Sequence, residues 1–187
     1  MIIMHAMSTT VLPRLVTRAL AERLRAMPAV VVTGARQTGK STLVQQLTPG
    51  TRRYRSLDDL DVLDAARRDP EVLVGGDDPV TLDEIQRAPE LLHAVKRAID
   101  QRRSPGRFLL TGSANLLLMR QVSESLAGRA SYLTLWPMTR GEQLGEGRPG
   151  AWEELLATRD DEWLDLLAAR AAKPEDWRAL ALRGGFP

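Results

Sequence analysis

Cysteine is missing from all 187 residues, which excludes disulfides, iron–sulfur clusters and thiol chemistry. The two histidines, His5 and His93, are too few for a histidine-rich zinc site. No apolar run approaches the roughly 18 residues that a membrane span needs. The first seven residues lack the basic segment and the long apolar core of a signal peptide, and Met4 or Met7 serves equally well as a first residue. These absences point to a cytoplasmic protein. Aromatic residues make up 4% of the chain, and three of the four tryptophans, Trp152, Trp163 and Trp177, stand among leucines. That setting reads as core or interface rather than as a platform for stacking bases. Lysine is rare as well. Of 26 basic residues only Lys40, Lys96 and Lys173 are lysines, so the position of each carries information.

The residues present make an ordinary soluble mixture, 43% hydrophobic and 27% charged, long enough for one domain. The net charge of +2 is unevenly spread. Residues 1–140 hold 20 basic against 14 acidic residues, and residues 141–187 hold 6 against 10. A mildly basic front half suits a polyanionic ligand such as a nucleotide. It is too weak to argue for nucleic acid by itself, and a solvated arginine-rich surface is the plainer reading.

Short apolar strands alternate with amphipathic helices along the chain. Residues 13–27 carry Leu15, Ala19, Leu20 and Leu24 at helical spacing before Pro28. Ala29 to Val32 is a continuous apolar run of the kind buried on both faces of a sheet. Helix over 40–47, strand over 53–57, helix over 58–68, strand over 80–82, helix over 89–103, strand over 108–110, helix over about 115–127 and strand over 131–135 follow. This order predicts an α/β fold: three layers, with a mostly parallel five-stranded sheet between helices. The expected domain covers residues 1–142. Glycine and proline between 141 and 150 mark a boundary, and residues 143–187 read as an acidic helical region.

The chemistry begins between the first strand and the helix after it. Gly34-Ala35-Arg36-Gln37-Thr38-Gly39-Lys40-Ser41 fits G-x-x-x-x-G-K-[ST] at every fixed position. For this composition the pattern arises by chance in on the order of 0.2% of chains. Glycines let backbone N–H groups turn inward around a phosphate. Lys40 reaches the β- and γ-phosphates, the Ser41 hydroxyl ligates Mg²⁺, and the helix opening through Ser41 and Thr42 turns its positive end to the same anion. Residues 34–42 therefore form the candidate nucleotide cradle. Arg36 lies inside it with no preferred direction.

A second strand ends in Asp83-Glu84, and open α/β sheets bind ligands at that end. Asp83 is the candidate metal residue and Glu84 the candidate base for an attacking water. The strand at 108–110 runs into Thr111-Gly112-Ser113. Ser113 is the first choice for a polar contact to the γ-phosphate or the water, with Thr111 in reserve. Arg129, just before the last strand, is the third catalytic candidate. It would neutralise transition-state charge from its own subunit or from a neighbour, and an exposed or ion-paired arginine is an equal reading. His93, in mid-helix, reads as structural.

Taken together, the segments GARQTGKSTL (34–43), YRSLDDLD (54–61), VTLDEIQRAP (80–89), FLLTGSANLL (108–117) and ESLAGRASYLTLWPMTRGE (124–142) resemble a prokaryotic branch of the AAA+ ATPases close to the archaeal-type ATPase group. The resemblance covers about residues 10–142. It implies an ATP-binding domain in which these segments take Walker A, Walker B and sensor-1 roles, and it suggests that the Gly-Arg element at Arg129 matters for turnover. Longer members continue past a Gly-Gly-Phe-Pro sequence into a further domain, so this chain reads as C-terminally truncated, as a natural product or as a fragment. The expected ligands are ATP and Mg²⁺, and the expected activity is slow ATP hydrolysis that drives or gates a partner or C-terminal effector. No guanine-reading N/T-K-x-D element is present. The rival readings are a non-hydrolysing ATP-dependent switch and a DNA-binding module, the latter lacking any complete helix-turn-helix. A homo-oligomer, a protein partner or the further domain are the candidate partners. The leucines and tryptophans of 151–182 need a surface beyond the core. Residues 143–187 are therefore expected to be less ordered than 28–136, and the chain prone to association.

Overall fold

A computed structural model describes residues 11–47, 52–113, 122, 124–146, 151–169 and 176–187. Most of the helix expected at 115–127 lies outside the described residues. The chain forms two compact units, one of Val16–Pro137 with the last two residues and one of residues up to Leu15 with Met138–Gly185.

The larger unit holds α1 (Val16–Ala26), β1 (Ala29–Gly34), α2 (Lys40–Leu47), β2 (Arg53–Ser56), α3 (Leu60–Arg68), α4 (Pro70–Val74), β3 (Val80–Asp83), a 3₁₀ turn (Ile85–Arg87), α5 (Leu91–Gln101), β4 (Phe108–Ser113) and β5 (Ala130–Thr134). The five strands form one sheet in the order β2-β3-β4-β1-β5, and every pair is parallel. β1 lies between β4 and β5, and all six of its residues are buried. Its Val30 and Val32 pack with Leu20, Leu43, Val44 and Leu109 on one face. Ala29 and Val31 pack with Leu82, Leu92, Val95, Ile99, Phe108 and Leu110 on the other. A strand covered on both faces has no room for polar alternation, which is why AVVV reads as a continuous run.

The sequence predicts the strands and most helices closely. It predicts an end to helix at Arg68 but not the short α4 beyond it. Asp69 caps that helix by accepting from the Val72 N–H, and Pro70 occupies the first turn, where its missing N–H costs nothing.

The second unit contains α6 (Arg140–Gln143), α7 (Ala151–Ala157), a 3₁₀ turn (Asp160–Glu162), α8 (Trp163–Ala169) and α9 (Trp177–Arg183). The sequence reading placed the boundary after Glu142, whereas the compact units divide before Met138. Glu142 shows why. Its carboxylate accepts from the backbone N–H of Leu15 at 2.7 Å and of Thr139 at 2.8 Å, and it pairs with Arg14 at 3.2 Å. One buried acid thus ties residues 14–15 to the start of α6. The helices beyond it bury little. Trp152, Leu156, Leu164, Trp177 and Leu182 are each more than two-thirds exposed. No helix among the described residues is long and apolar enough to cross a membrane.

Burial pushes the Glu142 carboxyl up, but the two N–H donors and Arg14 outweigh it, so its pKa lies below the ordinary value near 4.5. A depressed acid contributes stability above its unfolded pKa and loses it as pH falls through the folded one. Thermal melts across pH 2–7 should therefore show stability falling on acidification below roughly pH 4.5. Glu142→Gln should melt lower at neutral pH and lose part of that acid-side slope. An unchanged slope would show that Glu142 does not carry it.

Candidate functional site

The site lies where parallel strands end together. Register pairs Gly34 of β1 with Ser113 of β4, and Leu82 of β3 with Leu110 of β4, so Asp83 comes level with Thr111. Gly34 has no alternative at its position. A Cβ there would collide with the Leu135 carbonyl oxygen. Beyond it the chain bends into a loop with two left-handed residues, Gln37 at φ 62° and Gly39 at φ 86°. The Thr38 hydroxyl donates to the Ala35 carbonyl at 2.9 Å and braces the bend. Successive N–H groups turned inward by such a bend make an anion-binding concavity.

Lys40 opens α2 and is buried. Its ammonium donates to the carbonyls of Gly34 at 3.2 Å and Ala35 at 2.8 Å. Burial pulls its pKa down, and the carboxylates of Glu84 and Asp83 hold it up. A cleft of about 670 Å³ is lined by Gly39, Lys40, Ser41, Glu84 and Gln86 among others. Arg36 and Thr42 also face it and are exposed.

Asp83 is buried at the end of β3, and hydroxyls from both neighbouring strands reach it. The Tyr54 phenol donates to Oδ2 at 2.7 Å, and the Thr111 hydroxyl donates to Oδ1. Glu84, the next residue, is left-handed at φ 60° and ψ 46°. A non-glycine residue held there costs roughly 1–3 kcal/mol, a strain that functional sites tolerate. The Glu84 N–H donates to Thr111 Oγ1 at 3.2 Å, and the Gln86 amide donates to Glu84 Oε2. Gln86 Oε1 in turn accepts from the Ser113 N–H at 3.3 Å. At the rim, Arg87 pairs with Asp58.

The structure thus lines one cleft with Arg36, Gln37, Gly39, Lys40, Ser41, Thr42 and Glu84, while Asp83, the residue before Glu84, is buried at the end of β3. Ser113 reaches the cleft through its backbone, while Thr111, the reserve choice, makes the side-chain contact with the acids. Register explains the difference: Thr111 and Ser113, two apart on β4, share a face, but only Thr111 is level with Asp83. Tyr54, Gln86 and Arg87 were not anticipated. Tyr54 lies 29 residues from Asp83 in sequence and meets it only through strand pairing.

Arg129 is not brought to this edge. Its carbonyl accepts from the Ala29 N–H, at the start of β1, so the length of β1 separates it from the loop. Five residue steps at about 3.3 Å amount to roughly 16 Å. Its guanidinium pairs instead with Asp100, at 2.6 and 3.0 Å. The sequence leaves open whether Arg129 acts within its own subunit or from a neighbour; its backbone stands at the opposite end of β1 from its own loop. His93 is exposed on α5 rather than built into the core.

A family profile described as "AAA domain" matches residues 26–144. Two uncharacterized proteins, of Mycobacterium tuberculosis and Mycobacterium bovis, are each 37% identical over 122 residues, or 64% of this chain. The chain spans 27% of the length of either. Among solved structures it is similar to a Walker-type ATPase of Pyrococcus abyssi, with a TM-score of 0.47 and 16% identity over 78% of this chain and 59% of that one. It is also similar to a DNA replication initiation factor, with a TM-score of 0.46 and 14% identity over 83% of this chain and 54% of the other.

Gly34→Ala tests the close approach at the loop's first residue. Overpacking of this kind costs roughly 1–3 kcal/mol, so the variant should melt several degrees lower. A wild-type melting temperature would show that β1 and residue 135 separate freely.

Proposed function

Since the chain belongs to the AAA domain family, of the P-loop nucleotide-binding fold, we propose that residues 34–42 hold the phosphates of ATP and that the domain hydrolyses it. The observation that carries this reading is the convergence of Lys40, Ser41 and Glu84 on one cleft at the end of a parallel sheet, with the buried Asp83 next to Glu84 at the end of β3. Inward N–H groups of the loop and the first turn of α2 bind the β-phosphate, and Lys40 balances the β- and γ-charges. The Ser41 hydroxyl and the Asp83 carboxylate are hard oxygen donors of the kind Mg²⁺ takes, and they are the residues that would hold it. Bound Mg²⁺ neutralises charge that develops on the phosphate oxygens.

Glu84 orients a water and accepts its proton as the water oxygen attacks the γ-phosphorus. The bond from that phosphorus to the bridging oxygen breaks, and the electron pair leaves with ADP. The left-handed backbone at Glu84 and its contact with Gln86 aim the carboxylate across the cleft. Hydrolysis in the longer relatives' setting would drive or gate a partner or effector domain.

Arg129 enters this reading across a subunit boundary. With its backbone at the far end of β1, roughly 16 Å of strand from its own loop, Arg129 would serve a nucleotide held by a second copy, and an arginine supplied in trans stabilises transition-state charge.

Lys40→Ala should weaken MgATP binding by roughly a hundredfold or more, the loss of a charge-assisted contact. Glu84→Gln should bind ATP normally and release phosphate roughly 10²- to 10⁴-fold more slowly. Calorimetry and a phosphate-release assay check the two. Unchanged affinity in the first variant would sink the phosphate-loop assignment. Wild-type binding with no release at all would leave a nucleotide-dependent switch in place of an ATPase.

Arg129→Ala should lower turnover more than binding. Mixing it with Lys40→Ala protein should restore part of the activity, because one intact composite site forms. Associated mixtures with no recovery would remove Arg129 from the mechanism.

A further inference from the structure

Tyr54 belongs to neither the phosphate loop nor the acid pair, yet it touches the residue that would hold the metal. β2 is the edge strand beyond β3. The Tyr54 ring packs on the apolar layer that contains Leu43 and Val44 of α2. From there its hydroxyl spans to Asp83 Oδ2 at 2.7 Å. Thr111, fully buried on the opposite flank, donates to Oδ1. Each carboxylate oxygen thus has one hydroxyl donor, supplied from the strands on either side.

We infer that Tyr54 is a positioning residue that, with Thr111, fixes the orientation of the Asp83 carboxylate and so sets the affinity of the site for Mg²⁺. The inference rests on the nucleotide reading above and adds a residue to it. A carboxylate held through both oxygens cannot rotate about its last bond. It keeps a free lone pair on each oxygen in a constant direction, whereas an unheld one loses rotational freedom on taking a cation. Groups that hydrogen-bond metal ligands from behind commonly carry 10- to 100-fold of metal affinity.

The phenol suits the task. A phenol keeps its proton across the ordinary pH range, so it stays a donor to Asp83. Its ring rests on the layer that holds Leu43 and Val44 of α2, the helix that Lys40 and Ser41 open, so Tyr54 joins that helix to the acid.

The test is binding of a fluorescent ATP analogue, titrated with Mg²⁺ and repeated in excess chelator. Tyr54→Phe keeps the ring and removes only the hydroxyl. It should raise the Mg²⁺ concentration at half-saturation roughly tenfold, with chelator-phase affinity within about twofold of wild type. Thr111→Val should act in the same direction, and Thr111→Ser should restore the wild-type value. Unchanged Mg²⁺ dependence in Tyr54→Phe overturns the proposal. So does an equal loss with and without Mg²⁺, which would make Tyr54 a packing residue only. A wild-type chain that binds no nucleotide in either condition overturns the nucleotide reading itself, and the positioning role with it.

Discussion

The burial of β1 is the constraint on which the cleft depends. It is hydrogen-bonded on both edges, to β4 and β5, and covered on both faces by apolar side chains. A strand held on four sides ends at a defined place, so the loop that leaves it at Gly34 starts from a fixed point. The closeness of Gly34 to the Leu135 carbonyl is the same constraint at atomic scale. The other site residues inherit their positions from it by register: β4 beside β1 places Ser113 and Thr111, and β3 beside β4 places Asp83.

Within that frame the electrostatics are in tension. Lys40 is buried, which disfavours its charge, and two carboxylates favour it. Asp83 is buried too, and two hydroxyls hold it. Buried charges that are paired and hydrogen-bonded persist where lone ones neutralise. The arrangement concentrates opposite charges in a small cleft of low dielectric, where a polyphosphate and a divalent cation would interact more strongly than in water. The left-handed backbone at Glu84 belongs to the same economy, since strain at one residue is held in place by the N–H bond to Thr111 and by the rigid strands beside it.

The second unit follows a different logic. Among its described residues the buried acid Glu142 is satisfied by backbone donors and Arg14, while the acidic helices beyond it leave tryptophans and leucines open to solvent. The exposed positions are those that the sequence pattern marks as apolar faces in need of another surface. The chain spans just over a quarter of the length of the mycobacterial relatives, 27%, and their matching segment accounts for 64% of this chain. The AAA domain match, residues 26–144, stops short of α7 to α9.

The strand pattern, the phosphate loop and the acid pair were all legible in the sequence, because each is a contiguous string whose chemistry requires neighbours along the chain. AVVV before a glycine loop admits few structures, and GARQTGKS specifies its bend through residues that tolerate or demand unusual backbone angles. What lay far apart in sequence was not legible. Tyr54 meets Asp83, Gln86 bridges Glu84 to Ser113, and Thr111 rather than Ser113 faces the acids, all through strand order and register. Arg129 shows the limit most clearly. Its place just before a strand is plain from the sequence. A parallel sheet, however, puts the start of every strand at the edge away from the loop, and only the pairing of Ala130 with Ala29 reveals which edge that is. Local chemistry was written in the chain; the distances between its parts were decided by the sheet.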